Sequence, residues 1–346
     1  MGLDRFSVST FNLYNLQLPG VEMNPGQFWT QEQYDAKLAW TGRQLHELGS
    51  DIVGLQELWH TDAMAAVLAH AGLSDTYDLL AAPAQGSKIV CAALVRKGLL
   101  RGDPQWISQF PDAMRLESSS DDPQAPDIAV GLDGFSRPVL SFDVALRDEP
   151  PLTRVFVSHL KSKLPTRIDR EAWYDADEDL YKAHRNALGA ALSTIRRTAE
   201  ATALRVLLTD VMKGTVTPVI VLGDLNDGQH SNTLNIVTEQ PRYFVGESRG
   251  GVDIGLYTAQ TLQEYRDTRD VYYTHVHQDL RESLDHVLVS EQFYDNSRRR
   301  IWLFDGLAIF NDHLNDTETA DHKAKGTGDH GIVHVHFRYQ PAPPIA

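Results

Sequence analysis

Pro218-Val219-Ile220-Val221-Leu222-Gly223-Asp224-Leu225-Asn226 is the stretch that decides the fold. Val219 to Leu222 is an unbroken aliphatic run bounded by a proline and a glycine, the pattern of a short buried strand. It stops at Asp224 and Asn226, two polar residues two apart, which project the same way if the strand geometry persists. Taken alone, this is a common strand-to-turn signal, because Asp and Asn also build turns. It gains meaning from five other places where a β-like run meets a polar cluster.

Working outward, these are Asn12 in Thr10-Phe11-Asn12, Glu57 in Leu55-Gln56-Glu57, and His159 in Ser158-His159-Leu160-Lys161. Toward the C-terminus come Asp285 in Leu284-Asp285-His286 and Asp329-His330 ahead of the last strand-like segment. Strand ends can carry residues distant in sequence to one rim of a core. Carboxylates, amides and imidazoles gathered on one rim suit metal-assisted hydrolysis of a phosphate ester. Each cluster also has a plainer reading. Glu57 could be a helix N-terminal acid, and Asn12 a turn residue. The basic stretch from Lys161 through Lys163, Arg167 and Arg170 suits phosphate oxygens but could be a solvated loop. His334 and His336 alternate with Val335 and Phe337 and read as packing or surface residues.

The rest of the chain frames this site. Its 346 residues can bury a sizeable core without staples. The one cysteine, Cys91, excludes an intrachain disulfide framework and sits in an apolar run, as a buried inert thiol would. The first residues run straight into a strand-like segment without a signal-peptide h-region, and no apolar stretch reaches membrane-spanning length. These features lead to the expectation of a cytoplasmic protein with no membrane span and no obligate protein partner. The net charge of −15 argues against a surface that grips nucleic acid all over. It leaves room for a nuclease, since a bound cation and a local basic patch can hold one phosphate.

Strands are expected over Arg5–Phe11, Ile52–Gln56, Tyr77–Ala82, Ile89–Arg96, Val139–Leu146, Arg154–His159, Pro218–Leu222, Ser283–Ser290 and Ile301–Phe310. Thr30-Gln31-Glu32-Gln33 predicts a capping box opening a helix that stops at Gly49, and a second helix follows over Thr61–His70. The loop Lys161–Asp179 leads into a helix of about thirty residues ending before Gly214. Residues 101–135 and 240–280 read as variable insertions. Many strands adjoin without helices between them, which favours two sheets packed face to face with helices outside.

Together and in this order, the clusters resemble the endonuclease/exonuclease/phosphatase superfamily with its deoxyribonuclease-I-like fold. Asn12 is similar to the first motif, Glu57 to the metal-binding Gln-Glu, and His159 to the central histidine. Asp224 and Asn226 match Gly-Asp-x-Asn, Asp285 the acid supporting the final histidine, and Asp329-His330 the closing pair. The Ser158–Lys163 loop resembles the His-x-Lys-Ser-Lys loop of bacterial nuclease-like members. Tyr14 and His159 depart from the abasic-site endonucleases, which place an acid and a tyrosine there.

The resemblance implies a single catalytic domain over residues 1–346. Its fold would be a four-layer α/β sandwich of two packed, mainly antiparallel sheets flanked by helices. It implies Mg²⁺ or Mn²⁺ held mainly by Glu57, with Asn12 or Asp329 nearby. His330 would be the general base for water, oriented by Asp285, with Asp224 as the competing base. Asn226 would position the nucleophile or the phosphate, and His159 would bond a non-bridging oxygen or protonate the leaving group. Lys161 would lend electrostatic support at the phosphate. Nucleic acid is the first expected substrate, cleaved as by an endonuclease. Small phosphorylated molecules or lipid headgroups are the alternative, as in sphingomyelinase-like or inositol-phosphate phosphatase-like members. A lipid enzyme should show an exposed apolar docking loop, for which Phe28-Trp29 is the early candidate. A non-catalytic module would be expected to have lost Glu57 or His330, and both are present.

Overall fold

Alternation along each strand sorts its side chains between two layers. In Arg5–Leu16, Phe6 and Val8 enter one core while Phe11 and Leu13 enter another. The first core also receives Ile52, Cys91, Ala93, Val155, Val157, Ile220, Leu222, Val287, Val289, Val335 and Phe337. These come from two different sheets, so this core is the seam between them. The computed structural model describes residues 2–82, 86–119, 124, 126–239, 254–267, 272–277, 280–314 and 321–343.

The first sheet has the order Trp302–Phe310, Ile332–Tyr339, Arg5–Leu16, Ile52–Leu58, Val90–Arg96, Tyr77–Leu80. The second has the order Tyr257–Thr258, Asp285–Val289, Val219–Asp224, Thr153–His159, Gly134–Val144, Leu100–Gln109. Each contains one parallel pair, Arg5–Leu16 with Ile52–Leu58 and Thr153–His159 with Val219–Asp224. The other pairings are antiparallel. Helices Gln31–Leu48 and Thr61–His70 cover the outer face of the first sheet through Trp40, Leu45, Met64 and Val67. Helices Arg185–Met212 and Asn232–Thr238 cover the second through Leu204, Leu208, Leu234 and Val237. The result is the four-layer α/β sandwich.

Two glycines set how closely the parts approach. A methyl group on Gly54 would lie 2.7 Å from Leu222 Cβ, so the sheets come together over it. One on Gly223 would lie 2.2 Å from the Ser158 carbonyl oxygen, which explains the glycine directly before Asp224.

Several element boundaries differ from those expected. The first strand continues past Phe11 to Leu16, with its register broken between Asn12 and Leu16. The expected insertion at 101–135 is in part a ten-residue strand, Leu100–Gln109, at the edge of the second sheet. Its polar composition reflects that position, since an edge strand keeps much of its surface in water. The helix before Gly214 begins only at Arg185, after two short helices, Ala172–Ala176 and Glu178–Tyr181. Of the second variable region, 240–253, 268–271 and 278–279 lie outside the described residues. The remainder includes helix Ala259–Glu264 and a small hairpin, His275–His277 with Leu280–Glu282. Cys91 is buried and its thiol is pushed up to about 12 by desolvation, which makes it inert. Trp29 is buried and bonds the Asn15 carbonyl, while Phe28 stays exposed. Among the described residues, no helix is long and apolar enough to cross a membrane.

Candidate active site

Three neighbouring strands of the second sheet end level with one another. Asp224 is registered against His159 on one side and Asp285 on the other. Each continues an inward-facing apolar row: Val155 and Val157 lead to His159, Ile220 and Leu222 to Asp224, and Val287 and Val289 run back to Asp285. Across the seam, Asn12 follows Phe6 and Val8 on the inward face of its strand and is registered against Gln56, next to Glu57. His330 stands just before the strand Ile332–Tyr339, which pairs with Arg5–Leu16. The fold thus brings Asn12, Glu57, His159, Asp224, Asn226, Asp285, Asp329 and His330 to one end of the sandwich.

Asp224 is their meeting point. Asn12 Nδ2 donates to Asp224 Oδ2 across the seam at 3.1 Å, and the Asn226 backbone N–H donates to Oδ1 at 2.9 Å. His159 Nε2 lies 3.4 Å and His330 Nε2 3.9 Å from the same Oδ2. The other ring nitrogen of His330, Nδ1, bonds Asp285 Oδ2 at 2.7 Å. Asp285, His330 and Asp224 therefore form a line in which one imidazole bridges two buried carboxylates.

The charges follow from this arrangement. Burial pushes the Asp224 carboxyl up to about 7, Asp285 and Glu57 adding to the rise and His330 opposing it. Burial acts to lower His330, but Asp285 and Asp224 outweigh it and hold the imidazole well above its ordinary value. His159 moves the other way, held well below the usual range by burial and then by Arg137, His330 and Lys161. It is a neutral imidazole near pH 7. His159 Nδ1 and Asp285 Oδ1 are buried without a protein partner, and such atoms in a polar site ask for a ligand.

Glu57 Oε2 accepts the Asn15 backbone N–H at 3.0 Å. Burial raises its carboxyl, and Asp329 raises it further. Tyr14, Asn15, Glu57 and Asn226 all have positive φ, and Glu239 is the remaining non-glycine case among the described residues. Left-handed backbone at non-glycine residues is strained, and four of the five such residues belong to the segments that carry this cluster. The Asp329 carboxylate that raises Glu57, together with the nearby Asn12 amide, offers a hard-oxygen setting in which a divalent cation would relieve the repulsion. A second group, Asp224, Asp285 and His330, has ligand atoms within 4.8 Å of one another and could also hold an ion.

Lys161 and Asn226 take up places the sequence did not foretell. Lys161 Nζ turns back into its own loop, donating to Leu164 O at 3.2 Å and Ser162 Oγ at 3.3 Å. Its backbone N–H is held by Glu200 at 2.7 Å. Asn226 Nδ2 donates to the Leu160 carbonyl at 3.0 Å. His334 is structural, its Nδ1 bonded to Ser9 and Ser50 hydroxyls.

Two charged residues at the site escaped the sequence reading. Arg137 Nη1 donates to the same Leu160 carbonyl at 3.0 Å, and its charge acts on Glu57 and His159. It sits in the strand Gly134–Val144, which begins within the segment whose composition predicts an insertion. Lys37 is fully buried behind the site. Its Nζ donates to Thr327 O at 3.1 Å and lies over the rings of Trp40, Tyr14 and Trp29 at 5.1, 5.6 and 5.8 Å. Its place three residues after Tyr34 and four before Thr41, on the apolar face of the helix, was the available signal.

A model of the Endonuclease/Exonuclease/phosphatase family matches residues 10–330. No curated protein matches. Solved structures are similar over almost the whole chain at low identity. The human Nocturnin catalytic domain with bound sulfate is 13% identical, with 98% of this chain and 97% of that one covered and a TM-score of 0.54. TDP2 of D. rerio, complexed with single-strand DNA product, is 14% identical, with 96% and 99% covered and a TM-score of 0.54. A mannosyl-6-phosphatase of Bacteroides thetaiotaomicron is 13% identical, with 96% and 100% covered and a TM-score of 0.55. At these identities the likeness concerns the fold.

Proposed function

Because the chain belongs to the Endonuclease/Exonuclease/phosphatase family, we propose that it is a divalent-metal-dependent phosphodiester hydrolase, an endonuclease that cleaves nucleic acid by attack of water on phosphorus. The observation that carries this reading is the Asp285–His330–Asp224 line, with His159 3.4 Å from Asp224 and with the charges of Glu57 and Asp329 acting on it.

Glu57, with Asn12 and Asp329, would hold Mg²⁺ or Mn²⁺. When bound, the ion supplies Lewis acidity at a phosphoryl oxygen and offsets the charge that builds there. His330, aligned by Asp285, and Asp224 beside it form the unit that takes the proton from water. Asn226 presents its amide near the phosphate. His159 is kept neutral and so serves as a hydrogen-bond donor to a non-bridging or leaving oxygen. Lys161 acts through its charge, with Arg137 beside it.

Nucleic acid is supported as substrate by the basic loop from Lys161 to Arg170 and by the fold shared with a TDP2 bound to single-strand DNA product. A small phosphoester is the second reading, and the state of that loop favours it. Lys163 pairs with Glu282 at 2.8 Å and Arg167 with Asp169 at 2.8 Å, so part of the positive charge is already engaged. The fold shared with a mannosyl-6-phosphatase points the same way.

The test is nicking of supercoiled plasmid with Mg²⁺ or Mn²⁺, against EDTA, with His330→Ala and Asp285→Asn variants. Metal-dependent nicking that falls about 100-fold or more in both variants supports the reading. Asp285→Asn with full activity removes the dyad from the mechanism. Absence of nicking with either ion, alongside hydrolysis of a sugar phosphate, replaces the nuclease by the second reading.

A further inference from the structure

The short segment Tyr273-Thr274-His275 grips both members of the Asp285–His330 pair from one side. Thr274 is fully buried. Its Oγ1 accepts the backbone N–H groups of Leu284 at 2.9 Å and Asp285 at 3.2 Å. Its carbonyl accepts the N–H of Gly331 at 2.7 Å. One residue thus ties down the backbone at Asp285 and just after His330. The Tyr273 carbonyl accepts Asn311 Nδ2 at 2.9 Å, and His313 Nε2 donates to the His330 carbonyl at 2.9 Å. His275 faces His330 across an isolated antiparallel bridge. The two imidazoles stack with centroids 4.9 Å apart and planes 16° from parallel.

Backbone anchoring and one hydrogen bond do not fix an imidazole. The torsion that turns the ring is broad, so the bond from Nδ1 to Asp285 opposes a flip but leaves the tilt of the ring about that bond open. A flat neighbour at stacking distance removes that freedom. We propose that Tyr273–His275 is a brace for the acid–base pair, and that His275 is a positioning residue for His330. Its ring fixes the plane in which Nδ1 stays on Asp285 while Nε2 faces Asp224. This rests on reading His330 as a proton-handling group in the reaction. His275 Nδ1 also lies 3.5 Å from the Asp329 carbonyl oxygen, a long contact; the role belongs to the flat ring, and a phenyl ring keeps that face while losing the nitrogen.

The experiment compares His275→Ala, His275→Phe and His275→Leu, with kcat and KM measured separately on the same phosphodiester. The alanine variant should lose about tenfold or more in kcat with KM nearly unchanged, as small misplacements of a reacting group do. Phenylalanine should restore most of kcat, and leucine, which fills the space without a flat face, should not. A second readout is independent of turnover: the downfield proton resonance of His330 Nδ1–H, identified by its loss in His330→Ala. It should persist in the phenylalanine variant and broaden in the alanine and leucine variants. Wild-type kcat in His275→Ala overturns the proposal, as do equal kcat values for Phe and Leu. A phenylalanine variant as impaired as alanine also overturns it, assigning the role to a ring nitrogen. Should the alanine variant fail to fold, the Phe–Leu pair decides. Should the wild type hydrolyse no phosphoester, the proposed function fails while the resonance comparison still judges the brace.

Discussion

Replacing Lys37 by methionine should stabilise the protein below neutral pH, and the gain should fade as pH rises. Burial lowers this ammonium from 10.5 to about 7, against the pull of Asp329 and Glu57. At about 1.4 kcal/mol per pH unit, that fall corresponds to about 5 kcal/mol of cost to the folded state when the unfolded lysine is charged. The sign follows from proton binding. Between about 7 and 10.5 the unfolded chain holds the proton more tightly, so wild-type stability climbs with pH across this window and the full cost is present below it. Methionine fills a similar volume and removes the cost. It also leaves the Thr327 carbonyl without its donor, at about 1–2 kcal/mol, and gives up cation–π attraction of about 1 kcal/mol. The net gain at pH 6 is then about 2 kcal/mol. With about 2.1 cal/mol/K of unfolding entropy per residue, the melting temperature should rise by about 3 °C. At pH 9.5 the gain should vanish or reverse. Thermal melts of both proteins in EDTA at the two pH values decide the matter. A methionine variant less stable at pH 6, or a difference that ignores pH, would refute the reasoning.

Two further outcomes bear on the site. If Asp224 takes the proton from water, activity should rise with pH through a limb near 7, because the carboxyl pushed up to about 7 must ionise first. If His330 does so, the limb lies well above the ordinary imidazole value, since Asp285 and Asp224 raise that ring; a pH–rate profile at saturating metal separates the two. Glu57→Gln should weaken Mn²⁺ binding by about tenfold or more in calorimetry, and should raise the melting temperature in EDTA by removing a buried carboxylate that burial and Asp329 both raise. Unchanged binding would move the ion to Asp224, Asp285 and His330.

The parts of this site that lie at strand ends could be read from the chain. Asp224 after Val219–Leu222 and His159 after Val155 and Val157 follow from period-two alternation, because the first polar residue past an inward apolar row must face the rim. The sheet sandwich followed from strand pairs without intervening helices. What could not be read depends on contacts between distant segments. Arg137 reaches the site from a strand whose flank has the composition of a loop. Lys37 is buried on a helix where a lysine is normally expected to snorkel into water. His275 meets His330 only because two short segments bridge side by side. Tyr14, Asn15 and Glu57 adopt positive φ through a register break that no local propensity requires.

The margins of the two sheets have a consequence for life in a crowded solution. A long, flat, unpaired strand margin recruits other chains by backbone hydrogen bonding. Here two of the four margins are minimal, Tyr77–Leu80 with four residues and Tyr257–Thr258 with two. The longer ones are interrupted. Leu100–Gln109 loses register between Arg101 and Gln105 and again between Ile107 and Gln109, and it carries Pro104 and a left-handed Gly102. Trp302–Phe310 breaks between Phe304 and Gly306. A partner chain trying to zip onto either margin would meet an irregularity within a few residues. Among the described residues, the double sheet that carries the candidate site thus offers no long, regular margin for another chain to extend.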